Sequence, residues 1–221
     1  MNHRTLLPSL PLLLLAVGST ATAETAEPLE LLPKLEGSVA VVAAEGAWVT
    51  ESSPFNGKLL RIGNVNAKPD EHLRRGILKF DNVSLPDGQR LVSATLRVHL
   101  NGATGAALRR GVAVEHAPDD NRLKPSADLF LDARYTGGVP LVPPAAMPGD
   151  AYEADVTDAV RSDLDAADGV SAFRLVMDGD LDEPAGDDRF PNFMLGHSSG
   201  DDAPPPTLIL VTEADGEADP R

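Results

Sequence analysis

The sequence predicts an all-β fold, an antiparallel β-sandwich with one short helix, and three features lead to this prediction. Apolar and polar residues alternate along residues 92–100, which is typical of a strand with one buried and one exposed face. A shorter apolar strand, residues 77–80, precedes it, and the turn-forming sequence Leu-Pro-Asp-Gly at 85–88 lies between the two. Helical periodicity is confined to residues 152–164. A sheet with one apolar face needs a second layer against it, which favours a sandwich.

Short strands separated by turns account for most of the remaining chain. Before the central pair, strands are predicted at 39–44, 47–50 and 59–62, with a polar loop at 63–71. After it, strands are predicted at 111–116, 170–177, 190–197 and 206–212. Residues 117–150 contain six prolines, so this stretch is predicted to be an irregular connection.

The helix prediction depends on Val156, Val160 and Leu164, which recur every four residues and would share one face. Thr157 is the predicted N-cap, with the acidic Asp158 in the first turn, where its charge favours the positive end of the helix dipole. Gly169 lies just beyond the predicted end. We therefore expect a helix that begins near residue 157 and ends before residue 169.

The first 23 residues have the pattern of a secretory signal peptide. Arg4 gives a basic start, residues 6–17 are mostly apolar, and Ala21-Thr22-Ala23 is a small-residue cleavage site. The apolar run is shorter than the roughly 20 residues of a spanning helix, and no second run of that length follows. We predict a leader at 1–23, an acidic linker at 24–36, one domain at 37–213 and a disordered acidic tail at 214–221. The expected location is secreted, periplasmic or cell-surface, with no membrane span in the mature chain.

Composition narrows the classes of partner and chemistry. The chain is 42% hydrophobic and 24% charged, a globular balance, and only 4% aromatic. Without the leader, which holds one of the 19 basic residues and no acidic one, 18 basic residues face 34 acidic ones, a net charge of −16. Nucleic acid is therefore a poor partner. The absence of cysteine excludes disulfides, thiol catalysis and cysteine-ligated metals.

Three aspartates at alternate positions, Asp178, Asp180 and Asp182, are the candidate metal ligands. Calcium takes six to eight oxygen ligands, and carboxylates spaced in this way in a loop can supply several of them. An EF-hand is excluded because Glu183 and Arg189 stand where that loop needs glycine and glutamate. The alternatives are an irregular Ca²⁺ site and a solvated acidic hairpin loop.

Catalytic motifs are not apparent in the sequence. The histidines have no metal-binding spacing, and no GxSxG nucleophile motif is present. His99 falls on the polar face of the central strand and is expected at the surface. Carboxylate pairs are too numerous among 34 acidic residues to single out an acid and a base. We therefore expect the protein not to be an enzyme.

Four segments, taken together, carry a family resemblance. They are SSPFNGKLLRIG at 52–63, RRGILKFDNVSLPDGQRLVSATLRVHL at 74–100, ADVTDAVRSDL at 154–164 with FRLVMD at 173–178, and FMLGHSS followed by PTLILV within 193–211. In order and spacing they resemble the DNRLRE-type, or disaggregatase-related, carbohydrate-binding domain of microbial surface and secreted proteins. The resemblance covers residues 37–213 and implies a sandwich of jelly-roll type that binds glycans without catalysis. Pro118 and Thr212 stand near the places where family members usually have tryptophan and tyrosine.

Aromatic side chains are the usual platforms for sugar rings, and the candidates here are Trp48, Tyr135 and Tyr152. Core packing is the alternative for Trp48, which lies in a predicted strand beside Val49, whereas Tyr135 falls in a turn-like sequence. The leading hypothesis is an exported, non-catalytic module that binds polysaccharide or a cell-surface or matrix glycan. The alternatives are a structural surface or envelope protein that makes protein contacts, and a small polysaccharide hydrolase or lyase.

Overall fold

The computed structural model describes residues 27–44, 47–51, 60–67, 70–117, 136–167, 169–179, 192–196 and 204–215. In the first half of these residues the strands are β1 (Leu29–Leu31), β2 (Leu35–Ala44), β3 (Ala47–Glu51), β4 (Leu60–Ala67), β5 (Asp70–Asp81) and β6 (Gln89–Thr104). The second half contains a 3₁₀ helix (Gly105–Arg109), β7 (Val112–Ala117), β8 (Thr136–Val142), β9 (Ala151–Asp155), helix α1 (Thr157–Ala166), β10 (Val170–Met177), β11 (Asn192–Leu195) and β12 (Thr207–Ala214).

Strand β6 joins the two parts of a curled antiparallel sheet. Its first half pairs with β12 on one edge, its middle pairs with β9 on the other, and β1 pairs with β12. From Leu100 onward β6 pairs with β11, and the sheet continues through β4, β5, β10, β7 and β8. Strands β2 and β3 extend from β5. The predicted all-β antiparallel fold with one short helix is confirmed, and the two layers are parts of one sheet that turns through β6.

The core fills the concave side of this sheet. It consists mainly of valine and leucine side chains, as the low aromatic content requires, and its largest members are Phe80, Phe173 and Phe193. The rings of Phe80 and Phe173 meet edge to face, with their centroids 6.1 Å apart. Helix α1 contributes the fully buried Val160 to the same core. The helix therefore packs against the core through this residue.

The alternation predicted for β6 holds from Ala94 to Leu100 and fails at Val92. Ala94, Leu96, Val98 and Leu100 are fully buried, but Val92 is 43% exposed and its neighbour Leu91 is buried. The register with β12 shifts at this point, because Val211 lies opposite Ser93 whereas Thr212 lies opposite Leu91. A bulge of one residue therefore leaves Val92 unpaired in the ladder. Residues before the bulge point to the face opposite to the one that uninterrupted alternation predicts.

The ordered structure begins earlier than residue 37, so the predicted linker at 24–36 is wrong for its described part. Residues 29–31 form β1, which pairs with β12 from Leu29 opposite Leu210 to Leu31 opposite Leu208. Leu31 packs against the core, Pro33 is buried, and the Lys34 N–H donates to the Lys79 carbonyl at 2.9 Å. The acidic composition of this stretch predicted a linker, although its apolar residues form a short strand along the edge of β12.

Two predicted loops also contain strands. Within the polar stretch 63–71, residues 63–67 belong to β4 and residues 70–71 to β5, and the two strands pair from Gly63 opposite Arg74 to Ala67 opposite Asp70. Within 117–150, residues 136–142 form β8, which pairs with β7. Its Pro140 cannot donate to a ladder, and β8 is an outer strand of the described sheet, where proline is tolerated.

The described residues contain no helix that has both the length and the apolar character needed to cross a membrane.

Candidate functional site

A groove of about 680 Å³ lies between the start of α1 and strands β6, β7 and β8. This volume is within the range of ligand-binding clefts in proteins. The apolar residues that line it are Val92, Val114, Val139, Val156, Ala159 and Phe173. The polar residues that line it are Ser93, His116, Asp155, Thr157, Asp158, Arg161 and Ser162. The groove thus combines apolar surface with several hydrogen-bonding and charged groups.

Strands β7 and β10 place the groove beside the core. Val112, Val114 and His116 share the inward face of β7, because alternate residues of a strand point the same way. His116 lies opposite Phe173 of β10, and their ring centroids are 5.6 Å apart. The imidazole of His116 is therefore at the boundary between the apolar interior and the groove.

The start of α1 forms one wall, and its cap differs from the prediction. The N-cap position is Val156, which makes no side-chain capping bond, so the prediction of Thr157 as N-cap was wrong. Asp155 Oδ1 accepts the Thr157 N–H at 2.9 Å and the Thr157 hydroxyl at 2.5 Å. Thr157 Oγ1 in turn accepts the Ala94 N–H of β6 at 2.9 Å. Thr157 therefore links the helix to β6. Asp155, and not the predicted N-cap Thr157, accepts the free N–H at the start of the helix.

These hydrogen bonds also set the charge state of Asp155. The bond from the Thr157 hydroxyl, followed by that from the Thr157 N–H, lowers the pKa of the Asp155 carboxyl, and the positive charge of Arg161 contributes further. Asp155 therefore stays ionised at the edge of the groove. On the next turn of α1, Arg161 Nη1 pairs with Asp158 Oδ1 at 2.9 Å.

A buried carboxylate lies behind the groove. Asp163 of α1 is only 4% exposed, and its two oxygens each lie 3.0 Å from His116 Nε2. Its Oδ2 also accepts the Ser171 hydroxyl at 2.7 Å. Because both oxygens have partners, the charge is accommodated in a largely apolar setting. The two contacts fix the orientation of the His116 ring at the edge of the groove.

Of the three predicted sugar-binding aromatics, the structure describes the side chain of Tyr152 alone, so their grouping stays a prediction. Tyr152 lies in β9 opposite Val98, half-buried against the core, and its hydroxyl bonds to the backbone N–H and C=O of Met147 at 2.5 and 3.1 Å. It does not line the groove. Trp48 lies in β3 and pairs with Ala43, but its side chain is outside the described part. Tyr135 also lies outside the described residues.

The predicted calcium ligands are described only at their first member. Asp178 is exposed in the turn after β10, where its N–H donates to the Gly111 carbonyl at 3.0 Å, while Asp180 and Asp182 lie outside the described residues. The residues that are described contain no group of three or more His, Asp or Glu side chains placed to hold a metal ion. The calcium site stays a prediction.

His99 is less exposed than its place on the polar face of β6 suggests. The side chain is half-buried, and its Nδ1 atom is buried without a hydrogen-bond partner. Burial, and secondarily the nearby positive charge of Arg97, lower the pKa of the His99 imidazole. The expectation of an ordinary surface histidine was therefore wrong.

Comparison with known protein families and with curated proteins gives no match to this sequence. The fold and the groove itself therefore carry the functional argument.

Sequence reasoning did not select His116, Asp163 or Ser171, although a signal for each was present. Each is a polar residue on an apolar face: His116 beside Val112 and Val114, Asp163 three residues after the buried Val160, and Ser171 on the face of Phe173. Polar residues in such positions need buried partners. Their spacing along the chain does not join them, so the fold alone shows that they are mutual partners.

Proposed function

We propose that this protein is an exported, non-catalytic β-sandwich module that binds polysaccharide, or a cell-surface or matrix glycan, in the groove beside α1. The observation that carries the proposal is the groove's mixed lining. Val92 and Val139, which are 43% and 37% exposed, supply apolar contact of the kind that suits the CH faces of a sugar ring. His116, Asp155 and Ser162 supply groups that can bond to sugar hydroxyls. The resemblance to DNRLRE-type domains supports the same function.

Glycan binding is tested by affinity gel electrophoresis and calorimetry with neutral, acidic and amino-containing polysaccharides. The groove variant is Val139→Asp, because Val139 is 37% exposed and lines the groove. The matched control is Leu32→Asp, which adds the same charge at a 60% exposed apolar residue outside the groove. For neutral polysaccharide we expect at least tenfold weaker binding for Val139→Asp and no change for Leu32→Asp. Equal loss in both variants, or no binding by the wild type, would refute the groove as a glycan site.

The same samples test for catalysis. Release of reducing ends or unsaturated sugars by the pure protein would show that it is a small hydrolase or lyase and not a binding module. We expect no such products.

A structural role in protein contacts is the second candidate, and exposed leucines near strand β1 favour it. Leu29 and Leu32 are 38% and 60% exposed, beside a strand that pairs with β12. An apolar strand at the edge of a sheet can pair with another chain. Sedimentation over a hundredfold concentration range tests this role: self-association that Leu32→Ser abolishes would favour it, and a monomer throughout would count against self-assembly.

Calcium binding by Asp178, Asp180 and Asp182 is proposed as an accessory feature of this module. A bound ion would offset the repulsion of three nearby carboxylates, so Ca²⁺ is expected to raise the melting temperature. At a free concentration 100 times the dissociation constant the gain is about 2.7 kcal/mol, a shift of several degrees. Magnesium is expected to do less, because it holds its water more tightly. Melts of the wild type and Asp180→Asn, each in EDTA and in millimolar Ca²⁺, test this, and four equal melting temperatures would exclude the site.

A further inference from the structure

The charged groups of the groove are more anionic than cationic. Asp155 and Asp158 line it, and its only arginine or lysine among the described residues is Arg161. Arg161 forms its ion pair with Asp158. Among the described residues Asp155 forms no ion pair. Its Oδ1 accepts two hydrogen bonds from the uncharged Thr157. Arg161 acts on the Asp155 carboxylate only as the last of the influences that lower its pKa, so Asp155 has no direct ion-pair partner among the described residues.

The remaining titratable groups do not reverse this balance. His116 faces the groove, but it is bonded to the buried Asp163. With the imidazole protonated the pair is neutral, and with it deprotonated the pair carries one negative charge. The pair thus adds either no charge or a further negative charge to the groove.

The start of α1 does not offer an anion site either. A helix N-terminus attracts anions through its free N–H groups and its dipole. Here the Thr157 N–H already donates to Asp155, and Asp158 lies in the first turn. The chain's own carboxylates thus occupy the place that a ligand anion would take.

The charge of the whole chain acts in the same direction. Its formal net charge is −15, so its long-range field repels polyanions and concentrates cations near the surface. Together with the exposed apolar side chains of Val92 and Val139 in its lining, this charge makes the groove complementary to a sugar that carries a positive charge.

From these observations we propose that the groove selects glycans that carry free amino groups, so that the ligand class is a cationic amino-sugar polymer in which an ammonium group faces Asp155. This inference rests on the proposed function, because it names the ligand class of the same groove.

The test uses hexamers of equal length and different charge. They are the glucosamine hexamer, its fully N-acetylated counterpart, and a hexamer of galacturonic acid. Calorimetry with the whole mature protein is carried out at mildly acidic pH, where the amines are protonated and Asp155, with its lowered pKa, stays ionised. We expect the glucosamine hexamer to bind at least tenfold more tightly than the other two, with a preference that shrinks as salt is added.

Isosteric variants connect the preference to the groove. Asp155→Asn removes the charge and keeps an oxygen that can accept the Thr157 N–H, so the helix start is preserved. It is expected to weaken glucosamine-hexamer binding at least fivefold and N-acetylated-hexamer binding by a smaller factor, because the amide oxygen can still accept a sugar hydroxyl while the charge that attracts the ammonium group is gone. Asp158→Asn, whose side chain is 99% exposed, is expected to act in the same direction more weakly. The matched control is Asp150→Asn at the far end of β9, which changes the net charge equally and is expected to have no effect.

The outcomes separate this inference from the proposed function. Equal binding of the glucosamine and N-acetylated hexamers, tighter binding of the galacturonic hexamer, or an unchanged preference in Asp155→Asn would overturn the amino-sugar inference while glycan binding stood. Binding of none of the hexamers, and of no polysaccharide on affinity gels, would overturn both.

Discussion

The carboxylate of Asp163 stabilises the end of the core that lies beside the groove. It is 4% exposed, and its bonds to His116 and Ser171 connect α1 with β7 and β10. A buried carboxylate that loses a partner keeps the cost of its desolvation. The three residues therefore behave as one unit, although they come from three separate elements.

Ser171→Ala tests this dependence. The change removes a hydroxyl donor at 2.7 Å from a buried carboxylate, and we expect the free energy of unfolding to fall by about 1–3 kcal/mol. Ser84→Ala, at an exposed position in the loop before β6, is the control and is expected to stay within about 0.5 kcal/mol of the wild type. Urea denaturation measures both, and equal stabilities would show that Asp163 does not need the hydroxyl.

The pH dependence of stability is expected to reflect His99. Its pKa is lowered from the ordinary value of 6.5, so below that pH the unfolded state takes up a proton that the native state resists. Stability is therefore lost as the pH falls from 6.5 toward the native pKa, and this residue has no effect above that range. Denaturation between pH 8 and pH 5 is expected to show a shallower decline for His99→Gln than for the wild type. Parallel declines would mean that His99 titrates alike in both states.

At the scale of elements, the bulge in β6 decides which residues of that strand enter the core. Leu91 belongs to the core cluster, whereas Val92 is 43% exposed. An uninterrupted alternation predicts the opposite, because it places Val92 on the face of Leu96.

Substitution at these two neighbours tests the bulge. Leu91→Ser is expected to lower the free energy of unfolding by about 2–4 kcal/mol, since it removes buried apolar contacts. Val92→Ser, the matched control, is expected to cost under about 1 kcal/mol. Thermal and urea unfolding measure both variants. A larger loss of stability for Val92→Ser than for Leu91→Ser would show that the strand alternates without a bulge.

For the whole molecule, strand β1 covers one edge of β12 and thereby shields the sheet. It pairs with β12 from Leu29 opposite Leu210 to Leu31 opposite Leu208. An uncovered edge presents free N–H and C=O groups that can pair with another chain. The stretch 27–33 is therefore part of the fold.

Truncation tests the role of β1. A chain that starts at residue 34 is expected to melt several degrees lower than one that starts at residue 27, and to aggregate more readily. Differential scanning calorimetry and light scattering on the two chains at equal concentration measure this. Identical melting temperatures would show that residues 27–33 act as a linker and do not stabilise the fold.

Local periodicity alone determined much of the secondary structure. The burial of Ala94, Leu96, Val98 and Leu100 follows from their spacing, because a strand with one dry face needs apolar residues at every second position. The turn before β6 was equally readable, since Gly88 has the positive φ of 69° that glycine tolerates best. The spacing of Val156 and Val160, both of which are buried, correctly predicted a helix from residue 157 onward, but residues 152–155 of the same segment belong to strand β9.

Only the tertiary structure decided the features that depend on partners distant in the chain. The bulge at Val92 exists because of the register of β12, and β1 is a strand because β12 offers an edge. His116 and Asp163 are 47 residues apart, so no local pattern could join them, although the sequence marked each as a polar residue on an apolar face. The groove arises in the same way, since α1, β6, β7 and β8 meet only when the sheet curls. Periodicity reports which face of an element is buried, and the partner that buries it is chosen by the packing of the whole chain.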